Sequence, residues 1–233
     1  MRAVICIPTF NERDNVASLV EEVLDTVDAD VMVIDDDSPD GTGRVVDMLA
    51  RREPRVLAVH RAAKEGIGRA YVDGFRRALD RGYDVVVTMD GDFSHQPRFL
   101  PALLGALAEA DVVVGSRYVD DARVQGWGLV RHALSRGANV YARTVFGMRE
   151  RDLTSGFAAY RRHVLEAIGL EQIRSDSYAF QLELKYRAHR AGFRIVEVPI
   201  VFFDRVLGLS KVRSGRVTEA LVQVAALRLR GVR

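Results

Sequence analysis

The chain is poor in cysteine: one residue, Cys6, in 233. No disulfide can form within it, so a disulfide-stapled scaffold is excluded and a reducing compartment is expected. The thiol lies inside the apolar run AVICIP and reads as a small core residue. No cluster of cysteine and histidine exists, which excludes a zinc finger or similar site. Long hydrophobic runs are also missing. None approaches the roughly 18–20 residues needed to cross a bilayer. No signal-peptide pattern precedes the first apolar run, so the cytoplasm is the expected location. Charge of one sign is lacking too: 34 Lys and Arg face 32 Asp and Glu, for a net +2. Wholesale nucleic-acid binding is not indicated by that balance. No G-x-G-x-x-G follows a strand and no G-x-x-x-x-G-K-[ST] occurs, so dinucleotide and P-loop readings fail at their defining feature.

What is present is an alternation. Continuous apolar runs at 3–8, 31–35, 55–60, 84–90 and 111–115 read as strands. Amphipathic stretches at 14–27, 42–52, 66–81 and 97–108 separate them. Unbroken apolar strands are covered on both faces, and strand–helix alternation makes the sheet parallel. The fold class is therefore α/β, a mostly parallel sheet flanked by helices in a single domain. Later, 128–147 reads as a helix with Leu129, Val130, Leu134, Ala138, Val140, Tyr141 and Val145 as its apolar set. A strand at 156–161, a helix at 178–191 and a strand at 194–200 follow. The segment 215–230 is amphipathic, with arginines at its end. Residues 1–213 are expected to form the main domain and 214–233 an appended segment. From Arg205 to Arg233 the charge is basic against the single acid Glu219, which suits phosphates or an anionic membrane surface.

Ligands in open α/β sheets bind beyond the carboxyl ends of the strands. Four strand ends here are polar: PTFNE from Pro8, DDDSPDGT from Asp35, DGD at Asp90–Asp92 and GSRY from Gly115. Two carboxylates one residue apart repel unless a cation joins them. In an extended segment Asp90 and Asp92 share one side. Hard cations such as Mg²⁺ or Mn²⁺ take such oxygen ligands and bridge them to a diphosphate. Gly91 lets backbone approach a ligand closely. His95 lacks the spacing and company of a zinc ligand and reads as a supporting loop residue.

These stretches carry a resemblance. IPTFNE, VIDDDSPDGT, GIGRAYVDGF, MDGDFSHQP, GSRY, RHALSRGAN, DLTSGFAAYRR and FFDRVLGLSK run in order from residue 5 to 211. Together they resemble the polyprenol-phosphate mannosyltransferases, the dolichol-phosphate mannose synthase group of glycosyltransferase family 2. The resemblance implies the GT-A fold. It implies transfer of mannose from GDP-mannose to a polyprenyl phosphate, with inversion and with Mg²⁺ or Mn²⁺.

Carried over by position, Pro8, Phe10 and Glu12 line the nucleoside pocket, with Phe10 where the family has Tyr. Ile34 and Asp36 hold the nucleoside, while Asp35 is structural. Asp90, Gly91 and Asp92 match the D-A-D donor and metal motif, Asp92 being the direct ligand. Ser94 stands where some relatives offer Gln as a further metal ligand. Arg117 matches an arginine at the donor. Arg131 and Ser135 match residues that grip the acceptor phosphate. Arg205 and Lys211 match a basic pair over the diphosphate, and 203–213 is expected to be a mobile loop. The catalytic set is then Asp92, Arg117 and Arg131. The lipid acceptor implies a peripheral position on the cytoplasmic face of a membrane, or a small membrane subunit. The apolar residues Val217, Leu221, Val224 and Leu227 are expected to face it. The competing readings are a sister enzyme using another donor such as UDP-glucose, and a non-catalytic homologue that binds nucleotide sugars.

Overall fold

The computed structural model describes residues 1–173, 175, 177–204 and 224–228. Its first half alternates as the apolar runs require: β1 (Ala3–Thr9), α1 (Arg13–Thr26), β2 (Asp30–Asp35), α2 (Thr42–Arg52), β3 (Val56–His60), α3 (Ile67–Asp80), β4 (Val85–Thr88), α4 (Leu100–Ala106) and β5 (Val112–Ser116). The second half adds β6 (Arg123–Gln125), α5 (Leu129–Phe146), β7 (Ala158–Arg161), α6 (Arg162–Ala167), α7 (Ser177–Arg190), β8 (Ile195–Pro199) and β9 (Val201–Phe203). The main sheet runs β3-β2-β1-β4-β7-β5-β8. The first four of these pair in parallel, as do β5 and β8.

Both faces of the sheet are buried. Val16, Leu19, Val20 and Val23 of α1, Val46 of α2 and Leu100 and Leu103 of α4 pack on one face. Tyr71 and Phe75 of α3, Leu165 of α6 and Phe180 and Leu184 of α7 pack on the other. This two-sided cover is why the strands are apolar without alternation. Cys6 lies wholly inside the second of these layers, and burial pushes its thiol up, which makes it inert.

One strand departs from the parallel reading. β7 lies antiparallel between β4 and β5. The chain therefore enters β7 at the same sheet edge where β1, β2, β4 and β5 end. Antiparallel insertion places residues 152–157 among the polar strand ends.

β6 and β9 form a separate two-stranded parallel ribbon. Three residues each, they are too short to show a periodicity. Just beyond them the backbones come close. Asp204 donates its N–H to the Gln125 carbonyl at 3.0 Å. A Cβ on Gly126 would come within 2.9 Å of the Asp204 Cβ, at a φ of +88° that favours glycine.

Helix α5 turns its expected apolar set the wrong way for a core helix. Leu129 is 90% exposed and Val130 75%, with Leu134 and Val140 also exposed. The buried residues are Asn139, Ala142 and Phe146. The helix stops at Gly147, which is left-handed and donates its N–H to the Arg143 carbonyl at 2.8 Å. The helical residues 224–228 show the reverse correction. Val224 and Leu227 pack with Ala142, Phe146, Leu182 and Tyr186 instead of facing a membrane. Val217 and Leu221 lie outside the described residues, as do Arg205, Lys211 and nearly all of the expected mobile loop.

Candidate active site

The ends of β1 and β2 are stitched to each other. Thr9 donates its hydroxyl to Asp35 Oδ1 at 2.9 Å, and Ser38 donates to the same oxygen at 2.6 Å. Asn11 N–H reaches Ser38 Oγ at 3.0 Å and Glu12 N–H reaches Thr42 Oγ1 at 3.0 Å. Asp40 accepts from both the N–H and the hydroxyl of Thr42, which sets the turn that opens α2. Asp35 is thereby spent on structure, and its neighbour Asp36 is presented instead. Arg61, at the end of β3, pairs with the Asp36 carboxylate and with Glu65. Burial pushes the Asp36 carboxyl up, and the Arg61 charge opposes it. Lys64 lies 3.5 Å from the Phe10 ring centre, so the β3–α3 loop folds over the β1 end. Glu12 accepts a hydrogen bond from the Asn15 amide at 2.9 Å. Ile34 does not join this pocket by its side chain. It is fully buried in the core, where a Cβ on Gly74 would come within 3.0 Å of its Cδ1.

The two carboxylates after β4 are not on an extended strand. β4 ends at Thr88, and Phe93 adopts a left-handed φ of 60°. The turn separates their environments. Asp92 is buried, and its Oδ1 accepts the Ser94 N–H at 3.1 Å. The Asp90 side chain is about a third exposed. Ser94 thus supports Asp92 through its backbone. His95 holds the other carboxylate's backbone: the Asp90 N–H donates to its Nδ1 at 3.1 Å. The imidazole stacks on Phe157 at 5.0 Å and meets the edge of Phe202 at 5.6 Å. Burial holds its pKa below the ordinary range. A neutral ring accepting at Nδ1 carries its proton on Nε2, so neither nitrogen is left to bind a metal. His95 is a support, as its sequence context implies.

Gly91 keeps an unstrained φ, outside the left-handed region. A Cβ there would meet the Pro8 carbonyl and Thr9 Cγ2 at 3.4 Å and Ile7 Cγ2 at 3.5 Å. These are ordinary contacts, so the alanine of the D-A-D pattern fits this backbone.

Arg117, beyond β5, is not a loose cation. Its N–H, Nε and Nη2 all bind the Asp152 carboxylate, at 2.9, 2.7 and 2.7 Å. Nη2 also reaches Thr154 Oγ1 at 2.7 Å. Asp152 is fully buried. Burial pushes its pKa up, but the charge and hydrogen bonds of Arg117 outweigh that and hold it below the usual carboxylate range. Four elements fasten the segment that carries Asp152. Glu197 of β8 accepts the Asp152 N–H at 2.8 Å. Asn139 of α5 accepts the Leu153 N–H at 2.8 Å. Ser155 donates to the Gly115 carbonyl at 2.6 Å. Lys185 of α7 donates to the Ser155 carbonyl at 2.7 Å. The next residue, Gly156, brings this segment against the carboxylates: a Cβ there would lie 3.4 Å from Asp90 Oδ1.

The start of α5 completes the edge. Arg131 donates to both oxygens of Asp204 at 2.9 and 2.8 Å, and its guanidinium lies 4.3 Å from the Trp127 ring centre. The Arg117 guanidinium lies 5.5 Å from the same ring and 5.3 Å from Phe202. Tyr118 donates its hydroxyl to Ser135 Oγ at 2.6 Å. One sheet edge thus gathers two carboxylates in a turn and two arginines, each held on a carboxylate of its own.

The sequence model of glycosyl transferase family 2 matches residues 4–169, which include all four polar strand ends and the segment before β7. The chain belongs to glycosyl transferase family 2. It is 46% identical over 225 residues to an undecaprenyl-phosphate mannosyltransferase of Micrococcus luteus, covering 96% of this chain and 93% of the relative. It is 46% identical over 233 residues to a polyprenol monophosphomannose synthase of Mycolicibacterium smegmatis, covering 99% and 88%. Among solved structures, glucosyl-3-phosphoglycerate synthase of Mycobacterium tuberculosis, with Mn²⁺, UDP and glucosyl-3-phosphoglycerate, superposes with a TM-score of 0.67 at 20% identity, over 98% of this chain and 78% of that one. A Pyrobaculum calidifontis mannosyltransferase in complex with GDP-mannose and Mn²⁺ gives 0.65 at 19% identity, over 100% and 65%. At these identities the solved structures share the fold, the GT-A arrangement of a mostly parallel sheet between helices.

In this glycosyltransferase Pro8, Phe10, Glu12, Asp36, Asp90, Gly91, Asp92 and Arg117 lie at or just beyond the ends of β1, β2, β4 and β5, and Arg131 and Ser135 lie in the first two turns of α5. Sequence reasoning passed over Asp152, Asp204, Trp127, Tyr118 and Lys185. DLTSG and GSRY were visible as motifs, but the ion pair joining them spans 35 residues and shows only in the folded chain.

Proposed function

We propose that this family 2 glycosyltransferase moves mannose from GDP-mannose to the phosphate of a polyprenol, with inversion, giving polyprenyl-phosphate mannose and GDP. The observation that carries this reading is that the segment 152–156 binds Arg117 at Asp152 and comes against Asp90 at Gly156, while Trp127 joins Arg117 to Arg131. It is supported by the two relatives named for polyprenyl-phosphate mannosyl transfer at 46% identity. The solved mannosyltransferase with GDP-mannose and Mn²⁺ supports the donor and the metal.

The chemistry follows from the charges. Inversion requires one displacement: an acceptor phosphate oxygen forms a bond to the anomeric carbon while that carbon's bond to the GDP β-phosphate oxygen breaks. The acceptor is a phosphate monoester with a second pKa of about 6, already largely a dianion at neutral pH. No general base is needed, and none stands out in the site. Two phosphates must instead be held close against their repulsion. Arg117 and Arg131 do this by their positive charge. Each is pre-oriented by Asp152 or Asp204, so little reorganisation is left for the reaction. Phe10, Glu12 and Asp36 form the nucleoside end. The resemblance assigns Arg205 and Lys211, which lie outside the described residues, to the diphosphate as well.

Among the described residues no three His, Cys, Asp or Glu side chains gather into a closed metal site. Asp92 and Asp90 would offer oxygen ligands only, which fits a hard cation completed by diphosphate oxygens and water. Mg²⁺ or Mn²⁺ held there would neutralise the departing diphosphate.

The acceptor's lipid places the enzyme peripherally on the cytoplasmic face of a membrane. No helix among the described residues is long and apolar enough to cross one. The exposed Leu129, Val130 and Leu134 of α5 lie one turn or less from Arg131 and Ser135, so an apolar surface adjoins the phosphate grip.

The test is direct. A short polyprenyl phosphate, Mg²⁺ or Mn²⁺ and radiolabelled GDP-mannose or UDP-glucose are incubated with the protein in parallel. Transfer from GDP-mannose is expected; transfer from UDP-glucose alone would replace the donor. Asp92→Ala should abolish transfer while leaving the circular dichroism spectrum unchanged. Retained transfer would remove Asp92 from the metal site.

A further inference from the structure

Trp127 is the chain's one tryptophan and lies in the short connection between β6 and α5. Its ring links the two arginines of the site, with Arg131 at 4.3 Å and Arg117 at 5.5 Å from the ring centre. Phe202 meets it edge-on at 5.3 Å and His132 at 6.4 Å. The loop that holds it is tied at both ends: Gln125 accepts the Asp204 N–H, and Asp204 is bound to Arg131. Yet the indole Nε1–H is buried and has no hydrogen-bond partner among the described residues. An indole nitrogen can only donate, and buried donors are rarely left unmatched. A packing role alone would be filled by phenylalanine, which carries no such donor.

We propose that Trp127 Nε1–H donates to a phosphate oxygen of the acceptor, between Arg131 and Arg117. The inference rests on the polyprenyl-phosphate reading and names one residue more for it. An anion is the ligand that fits, because the donor sits on a ring flanked by two guanidinium groups. The acceptor phosphate is preferred to the donor diphosphate because Trp127 shares its segment with Arg131 and Ser135. Ser135 receives the Tyr118 hydroxyl, which leaves its own O–H to donate in the same direction of charge. Arg131, Ser135 and Trp127 then give the phosphate one charged and two neutral donors.

The ring and the N–H can be tested apart. Trp127→Phe keeps an aromatic face for both arginines and removes the donor. The sulfur isostere benzothienylalanine, incorporated for the single tryptophan, keeps the full ring shape as well. Both should raise KM for polyprenyl phosphate by roughly 10- to 100-fold, the size of one hydrogen bond to an ionised group. KM for GDP-mannose, kcat and the thermal midpoint should stay within about twofold or a few degrees of wild type. An isostere with wild-type KM for the acceptor would overturn the proposal, whatever Trp127→Phe does. The same residue reports binding by its fluorescence. Titration with polyprenyl phosphate should shift the emission, and neither the unphosphorylated polyprenol nor GDP should do so. Emission that answers to GDP and not to polyprenyl phosphate would assign the N–H to the donor and overturn the acceptor contact. Failure of the wild type to transfer mannose would strike the parent reading, and the titration would still decide this one.

Discussion

Lys185 offers the sharpest test of the segment that orients Arg117. Its ammonium is fully buried, with the Ser155 carbonyl at 2.7 Å and the Gln181 carbonyl at 3.3 Å as acceptors. Burial pushes its pKa down from 10.5 to about 7; the nearby Asp152 carboxylate pulls the other way and the Arg117 charge adds to the fall. The native chain therefore sheds this proton near pH 7, while the unfolded chain keeps it up to 10.5. Between those values unfolding takes up a proton, so stability rises with pH. One pKa unit corresponds to about 1.4 kcal/mol, and the rise from pH 7 to pH 9 comes to roughly 2 kcal/mol. Buried acids do not mask it in that window. Burial pushes up the Cys6 thiol and the Tyr71 and Tyr160 phenols, and their opposing effect begins only where the unfolded thiol at 9.0 and phenols at 10.0 ionise. Lys185→Met removes the titrating group. Urea unfolding of both proteins at pH 7, 8 and 9 should show the wild type gaining about 2 kcal/mol on the variant. Parallel profiles would refute the reasoning, since they would mean that the ammonium is not desolvated in the folded chain.

Three further outcomes follow from the same contacts. Asp152→Asn leaves the buried Arg117 guanidinium without its counter-charge. Unfolding free energy should fall by about 3–5 kcal/mol, and kcat/KM by tenfold or more, read by urea titration and single-substrate kinetics. Leu129→Asp with Leu134→Asp should weaken co-sedimentation with anionic lipid vesicles while changing stability by less than ~0.5 kcal/mol, because both side chains are exposed. Gly91→Ala should keep transfer activity and stability within ~1 kcal/mol, whereas Gly126→Ala, at a left-handed φ and 2.9 Å from the Asp204 Cβ, should cost about 1–3 kcal/mol or more in the same urea assay.

The strands were legible because each is apolar throughout, and a two-sided sheet leaves no other reading for AVICIP or DVVVG. The antiparallel β7 was not legible. Antiparallel and parallel strands buried on both faces have the same composition, so Ala158–Arg161 carries no mark of its direction. Its direction decides the site, since it delivers Asp152 to Arg117. Helix α5 shows a second limit. Periodicity groups Val130, Leu134 and Tyr141 on one side of a helix but does not say whether that side meets a core or solvent. The buried side is set by Asn139, whose amide binds the segment at 153–154, and by Phe146.

The candidate residues were legible as types, and their roles divide only in three dimensions. Asp35 and Asp36 are adjacent in sequence, but one is consumed by Thr9 and Ser38 while the other faces Arg61. Asp90 and Asp92 divide likewise into a partly open and a buried carboxylate. The division has a common backbone cause. Asn11, Asp37 and Phe93 are all left-handed, with φ of 59°, 55° and 60°. Each follows or adjoins a candidate ligand residue: Asn11 lies between Phe10 and Glu12, Asp37 follows Asp36, and Phe93 follows Asp92. A left-handed residue reverses the chain within one step, so consecutive side chains leave the sheet edge in different directions. Asn and Asp tolerate that conformation; phenylalanine does so at a cost of about 1–3 kcal/mol. The cost is borne where Ser94 N–H binds Asp92 and His95 binds the Asp90 N–H, two contacts that an extended continuation of β4 could not make together. The strained turn is therefore what separates the two like charges into a buried carboxylate, Asp92, and a partly exposed one, Asp90.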